Sequence, residues 1–383
     1  MRVLVFSTDD HLYPAGGAEQ AFGNITERLP DIQFDLVCAR LRRNSKKYEE
    51  IKNVNIYRIG FGIPKLDGIL LALFGSSKAR KLIKIHKYDL IWSVMASYGA
   101  FSAVRLKLKT GIPFLLTLQE GDSFEYIYEQ VKHVRKQFNS IFENADAIQA
   151  ISNYLLNWGK EMGYKGELGR VIPNGVAIQA YTQVFDIEQT KETRNTFGFP
   201  EDATILFSTS RLEKKNGHAD IIKSLVNLPE NICFINWHVG SLRDELNALA
   251  EKLEVSHRVN LAAAVEPEKI PLLAHSCDIF IRPSLSEGLG NSFLEAMAAQ
   301  KIVIGTNAGG IPDFLTDGET GFVVEIENPQ SIADTVQKVI SLDDEEKEQI
   351  LHKAKDMVIS KYNWDVISKD MENMFNEITK CKQ

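Results

Sequence analysis

Two glutamates that flank a glycine-rich stretch form the chemically most informative segment of the sequence. Glu287 comes directly before the stretch 288–290, and Glu295 follows within a pattern rich in Ala, Leu and Met that predicts a helix starting near Asn291. Backbone amides of a glycine loop and of a helix N-terminus favour the binding of a diphosphate. A carboxylate can accept hydrogen bonds from two hydroxyls, so we expect Glu287 to bind a sugar and Glu295 a ribose. The alternative is a helix-capping loop with two solvated acids.

A basic loop follows the first apolar run of the second half of the chain. Arg211 and Lys215 bring a guanidinium fork and a point charge to the end of a predicted strand, where they would suit a pyrophosphate leaving group. Lys214 stands beside Lys215 and is the alternative lysine, and a solvated loop is the alternative for the whole segment. Near the N-terminus, Gly16 and Gly17 open a predicted helix and permit close approach of an anion. A plain strand-to-helix turn explains them equally well, and the absence of a GxGxxG pattern argues against a dinucleotide enzyme.

Short apolar runs alternate with helical patterns along all 383 residues, which is typical of parallel α/β sheets and too long for a single core. In the first half we expect strands at residues 3–7, 34–38, 54–59, 90–94, 114–118, 147–151 and 170–172. In the second half we expect them at residues 204–209, 232–237, 259–263, 279–283, 302–306 and 322–324. The polar stretch 183–195 interrupts the alternation and is interpreted as a linker.

These motifs together resemble family 4 of the retaining glycosyltransferases. The spacing of Glu287 and Glu295 is similar to the E-x7-E motif of that family, and residues 172–176 (Ile-Pro-Asn-Gly-Val) resemble its turn before the interdomain linker. Residues 362–364 (Tyr-Asn-Trp) resemble the point where its chain crosses back to the first domain. The resemblance covers the whole chain and implies the α/β fold class GT-B, in which two Rossmann-like doubly wound domains face each other across a cleft. It implies an acceptor-side domain at 1–182 with a returning helix at 363–383, and a donor-binding domain at 196–360.

The resemblance also implies roles for individual residues. Glu287 would bind hydroxyls of the donor sugar, Glu295 would bind the nucleotide ribose, and Arg211 with Lys215 would neutralise the departing diphosphate. Front-face attack would need no protein nucleophile, no cofactor and no metal ion. The nucleotide sugar, with UDP or GDP as its nucleotide, would be a substrate. Further residues expected to contact the donor are Gly16, Gly17, Gly288, Leu289, Gly290, Asn291 and Ser292.

The chain departs from the family pattern at one point of the first half. Many members have a histidine at the end of the strand 114–118, where this sequence has Gln119. Glutamine can hydrogen-bond a sugar hydroxyl but cannot take a proton. We therefore expect Gln119, Glu120 and Asp122 to orient the acceptor, with a polar surface loop as the alternative.

Charge is distributed unevenly and predicts an anionic partner for the first half. The formal net charge is −7, yet residues 40–110 contain 16 basic and 4 acidic side chains. Within residues 63–87 an apolar segment runs into a basic helix, which suits an anionic membrane surface and a glycan or lipid-linked acceptor. A core-facing helix with a solvated basic face is the alternative. The acidic total and the lack of aromatics within the basic segment argue against nucleic acid.

Location and catalytic class follow from weaker signals. The four cysteines are scattered without zinc-site spacing, and no apolar run approaches the roughly 20 residues of a spanning helix. We therefore expect a cytoplasmic protein, peripheral on the inner face of the membrane. Two other readings share the architecture: a nucleotide-sugar 2-epimerase and a non-catalytic subunit that binds sugar nucleotides.

Overall fold

The computed structural model describes residues 1–10 and 16–380, and these residues form two compact units. The first unit comprises Met1–Gly175 together with the chain from Trp364 onward, and the second unit comprises Val176–Asn363. Each unit is built around one sheet with helices packed on it, as the alternating sequence pattern predicts.

The first unit contains an eight-stranded sheet with the order β3-β4-β2-β1-β5-β6-β7-β8. All neighbours are parallel except the antiparallel pair β3 and β4. The strands are β1 (Arg2–Phe6), β2 (Gln33–Ala39), β3 (Tyr48–Ile51), β4 (Val54–Ile59), β5 (Leu90–Val94), β6 (Phe114–Leu118), β7 (Ala147–Ala150) and β8 (Leu168–Val171). The helices are α1 (Gly17–Arg28), α2 (Pro64–Ile83), α3 (Tyr98–Thr110), α4 (Phe124–Gln130), α5 (Arg135–Glu143) and α6 (Asn153–Glu161).

The second unit contains a six-stranded, all-parallel sheet with the order β11-β10-β9-β12-β13-β14. The strands are β9 (Thr204–Ser208), β10 (Ile232–Asn236), β11 (Val259–Leu261), β12 (Ile279–Arg282), β13 (Ile302–Gly305) and β14 (Phe322–Val323). The helices are α7 (Ile178–Thr182), α8 (Ile187–Asn195), α9 (His218–Ser224), α10 (Arg243–Lys252), α11 (Ile270–His275), α12 (Asn291–Ala298), α13 (Pro329–Ser341) and α14 (Asp344–Lys361).

The last helix, α15 (Trp364–Lys380), packs on the first unit. Its buried side chains recur at helical spacing and join the core that surrounds Trp92 and Phe34 of the sheet. Phe375 lies 5.2 Å from the ring of Trp92, centroid to centroid. The buried face consists of Trp364, Ile367, Met371, Met374, Phe375 and Ile378.

Strand order reverses direction once in each sheet. In the first unit the reversal lies between β1 and β5, and in the second it lies between β9 and β12. Ligands of open α/β sheets bind beyond the carboxyl ends of the strands at such a switch point. The loops that leave these four strands are therefore the first places to look for a site.

The expected linker at 183–195 is wrong as a structural prediction, because α8 occupies most of it. The polar composition of α8 reflects exposure on one side, while Arg194 anchors the helix to the second unit. Its guanidinium donates to the Ser276 carbonyl at 3.1 Å and pairs with Asp278 at 2.9 Å. Residues 176–182, expected in the first domain, also belong to the second unit.

Two smaller features differ from the sequence-based expectation. β3 was not expected, since its glutamates have low β-propensity and it is an edge strand with exposed side chains. The apolar part and most of the basic part of 63–87 lie in the single helix α2, and Lys84 and Lys87 follow its end. Within residues 1–10 and 16–380, none of the helices combines the length and apolar character that crossing a bilayer requires.

Candidate functional site

Two loops meet at the switch point of the second sheet, and we name residues 209–217 and 283–290 the edge loops. The first follows β9 and the second follows β12. They contain most of the residues that the sequence predicts to bind a donor.

Backbone contacts hold the two edge loops against each other. The Leu285 amide donates to the Lys215 carbonyl at 2.7 Å. Gly217 has a left-handed backbone with φ of 73°, and a Cβ at this position would overlap the carbonyl oxygen of Pro283. Only glycine therefore permits this approach of the first loop to the second.

The second edge loop is held equally closely on its other side. The Gly310 amide donates to the Glu287 carbonyl at 3.0 Å. Gly309 has φ of 58°, and a Cβ there would overlap the same carbonyl oxygen. The backbone of Glu287 is thus fixed by neighbours that have no room to move.

Helix α12 begins at the end of the second edge loop without a capping side chain. Gly290 stands at its N-cap with φ of 99° and contributes no side-chain hydrogen bond. In contrast, Asn328 caps α13 and Asp343 caps α14 through side-chain oxygens. No side chain caps the amides of Asn291 and Ser292, the two residues expected to contact the donor, whereas the Phe293 amide donates to the Gly290 carbonyl at 3.0 Å.

The carboxylate of Glu287 is bound on both oxygens. Oε2 accepts a charge-assisted hydrogen bond from Arg282, and Oε1 accepts from the Gly288 amide at 3.0 Å. Arg282 is buried at the end of β12 and also donates to Asn216 Oδ1 at 2.7 Å and to Ser292 Oγ at 3.2 Å. Neither Arg282 nor Asn216 was predicted to have a role.

The two predicted cations occupy different environments in the first edge loop. Arg211 has an exposed side chain, whereas Lys215 is half-buried. Both charges act on Glu213, whose carboxylate accepts from the Ser241 hydroxyl at 2.8 Å and from the Ser241 amide at 3.1 Å. The hydrogen bonds from Ser241 are the main cause that lowers the pKa of Glu213, and the charges of Arg211 and Lys215 lower it further.

Glu295 lies in α12 at the partly exposed face of the helix. Burial of its carboxylate raises the pKa above the ordinary glutamate value, and a hydrogen bond from the Tyr181 hydroxyl opposes that shift. Tyr181 is buried at the start of the second unit, and its backbone carbonyl contacts His275 Nε2 at 2.8 Å. Glu295 is therefore accessible but not surrounded by water.

A buried histidine, His218, contacts the first edge loop through a hydrogen bond to Ser210. His218 Nε2 lies 3.0 Å from Ser210 Oγ, which in turn lies 3.0 Å from Ser208 Oγ. Burial lowers the pKa of His218 to about 3, and the nearby charge of Arg282 contributes. His218 is consequently neutral near pH 7.

In the first unit the predicted glycines precede and open α1. Gly16 is its N-cap and Gly17 its first residue, and the N-cap provides no side-chain hydrogen bond. A Cβ on Gly17 would lie 3.9 Å from Asn174 Nδ2, so this turn approaches the 172–176 segment. Ala15, which directly precedes these two glycines in the sequence, lies outside the described residues.

The predicted acceptor-side residues follow β6, and Glu120 is the buried one. Its carboxylate accepts from the Ala96 amide at 2.8 Å and from the Gln119 amide at 2.8 Å. Burial raises the pKa of Glu120 to about 7, and the charge of Asp122 adds to the shift. Met95, next to Ala96, has a left-handed backbone with φ of 67°, a conformation that costs energy for a non-glycine residue.

The side chain of Gln119 contacts the 172–176 segment, because its Oε1 accepts a hydrogen bond from Asn174 Nδ2 at 3.3 Å.

The structure places Arg211, Lys215, Glu287, Glu295 and the segment 288–292 in the second unit, and the edge loops that contain most of them are in contact. The first unit contains the remaining predicted residues, Gly16, Gly17, Gln119, Glu120 and Asp122. The sequence did not predict roles for Arg282, Asn216 or His218. Arg282 could have been noticed as a charged residue at the end of an otherwise apolar strand. No group of three or more His, Cys, Asp or Glu suited to a metal ion occurs among residues 1–10 and 16–380.

Comparison with known protein families gives two matches that together span most of the chain. Residues 15–180 match the profile described as Glycosyltransferase Family 4, and residues 189–357 match the profile described as Glycosyl transferases group 1. A glycosyltransferase of Methanocaldococcus jannaschii is 26% identical over 86% of each chain. A lipopolysaccharide 1,2-N-acetylglucosaminetransferase of Salmonella typhimurium is 26% identical over 64% of this chain and 68% of its own length.

Among solved structures, HepE of Anabaena in complex with UDP and glucose has a similar fold. It superposes with a TM-score of 0.79 at 19% identity, covering 98% of this chain and all of its own. The GT-B class predicted from the sequence is confirmed by this likeness and by the two parallel α/β units. The chain accordingly belongs to the glycosyltransferases of the family 4 type and is an enzyme of that class.

Proposed function

We propose that this glycosyltransferase moves a hexose-type sugar from a nucleotide-diphosphate donor to a glycan or lipid-linked acceptor, with retention of configuration. Glu287 binds hydroxyls of the donor sugar, and Glu295 binds the ribose. Arg211 and Lys215 stabilise the charge that develops on the diphosphate as its bond to the sugar breaks. Attack on the face that the diphosphate leaves requires neither a protein nucleophile nor a metal ion.

The observation that carries this proposal is the convergence of anion-binding and hydroxyl-binding groups at one switch point. Both edge loops, the uncapped N-terminus of α12 and the carboxylate of Glu287 meet at the carboxyl end of the second sheet. The cations and free amides suit a diphosphate, while carboxylates suit neutral polyols. A nucleotide sugar carries both kinds of group in one molecule.

The nucleotide and the acceptor are proposed from the relatives. The UDP and glucose in HepE favour UDP as the nucleotide, and GDP is the alternative. The name of the Salmonella relative favours an acceptor of the lipopolysaccharide kind, in the synthesis of a cell-surface glycan.

A peripheral membrane location is supported by an exposed apolar face on α2. Leu71, Ala79 and Leu82 bury one face of this helix. On another face Leu73 and Phe74 are each more than half exposed, and Leu66 and Ile69 continue the stripe at helical spacing. This distribution differs from the alternative of a core-facing helix with only a basic outer face.

Basic side chains accompany this apolar stripe. Lys65 lies at its N-terminal end, and Arg80, Lys81, Lys84 and Lys87 follow it. An anionic bilayer attracts each such charge by roughly 1 kcal/mol. We therefore propose that α2 contacts anionic lipid on the cytoplasmic side of a membrane and presents the enzyme to a lipid-linked acceptor.

The donor site is tested by saturation-transfer NMR against a panel of UDP-, GDP- and ADP-hexoses. We expect one donor to bind wild type and to bind Glu287→Ala and Arg211→Ala at least tenfold more weakly, which corresponds to about 1.4 kcal/mol. The matched controls are Glu251→Ala and Lys252→Ala, which remove exposed charges from α10 of the same unit.

The proposal fails if no nucleotide sugar binds, or if the two site variants bind as well as the controls. Product analysis separates transfer from epimerisation, because an epimerase converts the nucleotide sugar without an acceptor. A non-catalytic subunit would bind the donor and form neither product.

The membrane contact is tested by co-sedimentation with vesicles of phosphatidylcholine alone or with added phosphatidylglycerol. We expect binding only to the anionic vesicles and at least a tenfold loss for Phe74→Glu. Ile187→Glu is the control, because Ile187 is also apolar and is 85% exposed, against 54% for Phe74, but lies in the second unit. Equal binding to both kinds of vesicle, or equal loss in both variants, would reject the contact.

A further inference from the structure

A continuous hydrogen-bonded chain connects the two edge loops through side chains. Asn216 Nδ2 donates to the Arg211 carbonyl at 2.6 Å, and Asn216 Oδ1 accepts from Arg282 Nη2 at 2.7 Å. Arg282 in turn pairs with Glu287, whose other carboxylate oxygen accepts from the Gly288 amide at 3.0 Å. Arg282 at the end of β12 joins the first edge loop, through Asn216, to the second edge loop, through Glu287. The chain thus runs from Arg211 to Glu287, the residues proposed to bind the diphosphate and the sugar.

We propose that Asn216 and Arg282 are positioning residues that fix Arg211 relative to Glu287. The donor diphosphate and the donor sugar are then held at a set separation. This inference rests on the proposed function, since it concerns the geometry of the same donor site. Asn216 orients the backbone of the first loop, and Arg282 orients the carboxylate of the second.

The guanidinium of Arg282 has a shape that can orient several side chains at once. It is planar and presents several N–H groups in fixed directions, so one side chain can serve three partners at once. Here those partners are Asn216, Glu287 and Ser292, and the last belongs to the first turn of α12. The ring of Phe293 lies 5.9 Å from the guanidinium carbon and limits its movement further. A lysine could pair with Glu287 but could not reproduce this set of directions.

Stability alone does not account for a buried ion pair at this position. Removing two charges from water costs energy that their attraction only partly returns, and apolar replacements are often neutral or stabilising. Arg258, also buried in the second unit, shows what a structural arginine does: it donates to the carbonyls of Leu225, Leu228 and Pro229. Arg282 instead bonds to three side chains around the site.

Asn216 has an equally specific geometry. Its amide donates with one end and accepts with the other, so it transmits orientation from Arg211 to Arg282. Asn216→Asp retains the acceptor toward Arg282 but loses the donor toward the Arg211 carbonyl. Asn216→Ala loses both.

The first test needs no ligand and measures amide hydrogen exchange in both edge loops. We expect Asn216→Ala to speed exchange at least tenfold in residues 283–290 as well as in its own loop, because the link is broken. Asn216→Asp should affect mainly residues 209–217. Arg282→Lys should affect both loops, and Arg258→Lys, the control for altering a buried arginine, should affect neither. Faster exchange confined to residues 209–217 in Asn216→Ala would overturn the proposal.

The second test compares the binding of UDP-glucose with that of UDP by titration calorimetry. If Arg282 acts through Glu287, Arg282→Lys weakens binding of the nucleotide sugar at least tenfold and binding of UDP less than threefold. Loss of both ligands to the same extent would overturn the proposal, because Arg282 would then act on the diphosphate. If wild type binds UDP but not UDP-glucose, the same comparison is made with UDP-N-acetylglucosamine.

The two hypotheses can fail separately. If wild type binds no nucleotide and no nucleotide sugar, the proposed function fails, while the exchange measurement still decides whether Asn216 and Arg282 couple the loops. If a nucleotide sugar binds and Arg282→Lys behaves like Arg258→Lys in both tests, the proposed function stands and the coupling is rejected.

Discussion

The carboxyl edges of the two sheets contain buried titratable groups whose pKa values are shifted in opposite directions. In the second unit, His218 lies beneath the first edge loop, and its pKa is lowered to about 3 by burial and by the charge of Arg282. In the first unit, burial and the charge of Asp122 raise the pKa of Glu120 to about 7. Both groups are thereby biased toward their neutral forms, although one is a base and the other an acid.

The difference between the two edges lies in the sign of the charge that surrounds each group. The charge of Arg282 disfavours a second cation at His218, and Arg211 and Lys215 favour an anion, such as the diphosphate of the proposed donor. The Asp122 carboxylate makes the first edge unfavourable for another anion and compatible with neutral hydroxyls. The carboxyl edges of the two sheets therefore differ in the ligands they favour, in keeping with the proposal of a donor in the second unit and a glycan in the first.

The comparison is tested most strongly by His218→Gln. The unfolded chain binds a proton at His218 below about pH 6.5, whereas the folded second unit does so only near pH 3. Wild type therefore loses stability relative to the variant as the pH falls through this window, by about 3 kcal/mol at pH 4 and by as much as about 5 kcal/mol at pH 3, at 1.36 kcal/mol per pH unit. Hydrogen exchange in β9 between pH 7 and pH 4 measures the difference.

The control for this experiment is His257→Gln, because His257 is exposed in the same unit. It should follow wild type at every pH. A parallel pH dependence of wild type and His218→Gln would show that His218 is not held neutral.

The second prediction separates the two lysines of the first edge loop. Lys215→Ala should slow release of nucleoside diphosphate from the donor by about 10² to 10³, the range observed when one group that stabilises transition-state charge is removed. Lys214→Ala is the matched control and should change the rate less than threefold, because its side chain is exposed while Lys215 is half-buried. Rates are measured on the nucleotide sugar that wild type binds, and a larger loss in Lys214→Ala would exchange the two assignments.

The third prediction concerns Glu120→Gln, for which wild type loses stability as the pH rises instead of as it falls. The unfolded chain ionises Glu120 above about pH 4.5, whereas the folded first unit keeps it protonated until about pH 7. Wild type therefore loses about 3 kcal/mol of stability relative to the variant as the pH rises between these values. The test is the pH dependence of the stability difference between wild type and variant. Its value at any one pH is not the test, because the amide of the variant also changes the hydrogen bonds from Ala96 and Gln119. Hydrogen exchange in β6 measures it, with the exposed Glu125→Gln as control; equal slopes would contradict the raised pKa.

The strands and the main site residues could be predicted because their signals are local. Apolar runs mark buried parallel strands, and the segment 287–295 shows its glycines and acids within a few residues. The roles of Arg282 and Asn216 could not be predicted, because their contact joins positions 66 residues apart. The pKa of Glu120 depends on burial that only the assembled first unit produces.

The prediction of a linker at 183–195 was wrong for a related reason. Its composition is that of a solvated segment, and α8 has no buried residue that would produce an apolar period. Its attachment to the second unit rests on Arg194 and two partners more than 80 residues away. Polar anchoring of this kind leaves no periodic pattern in the sequence.

The smallest expected effect belongs to Gln119→Ala. This variant tests whether catalysis requires a titrating group at position 119, where the family pattern described above has a histidine. Gln119 makes one neutral hydrogen bond to Asn174 at 3.3 Å, and such a bond contributes about 1 kcal/mol. We expect the KM for the acceptor to rise less than tenfold and the pH dependence of kcat to remain that of wild type, because glutamine does not titrate. Gln137→Ala, at an exposed position of the same unit, should change neither quantity. A shifted pH profile in Gln119→Ala would mean that Gln119 controls the ionisation of Glu120, and the acid-base behaviour of the first edge would then belong to the pair.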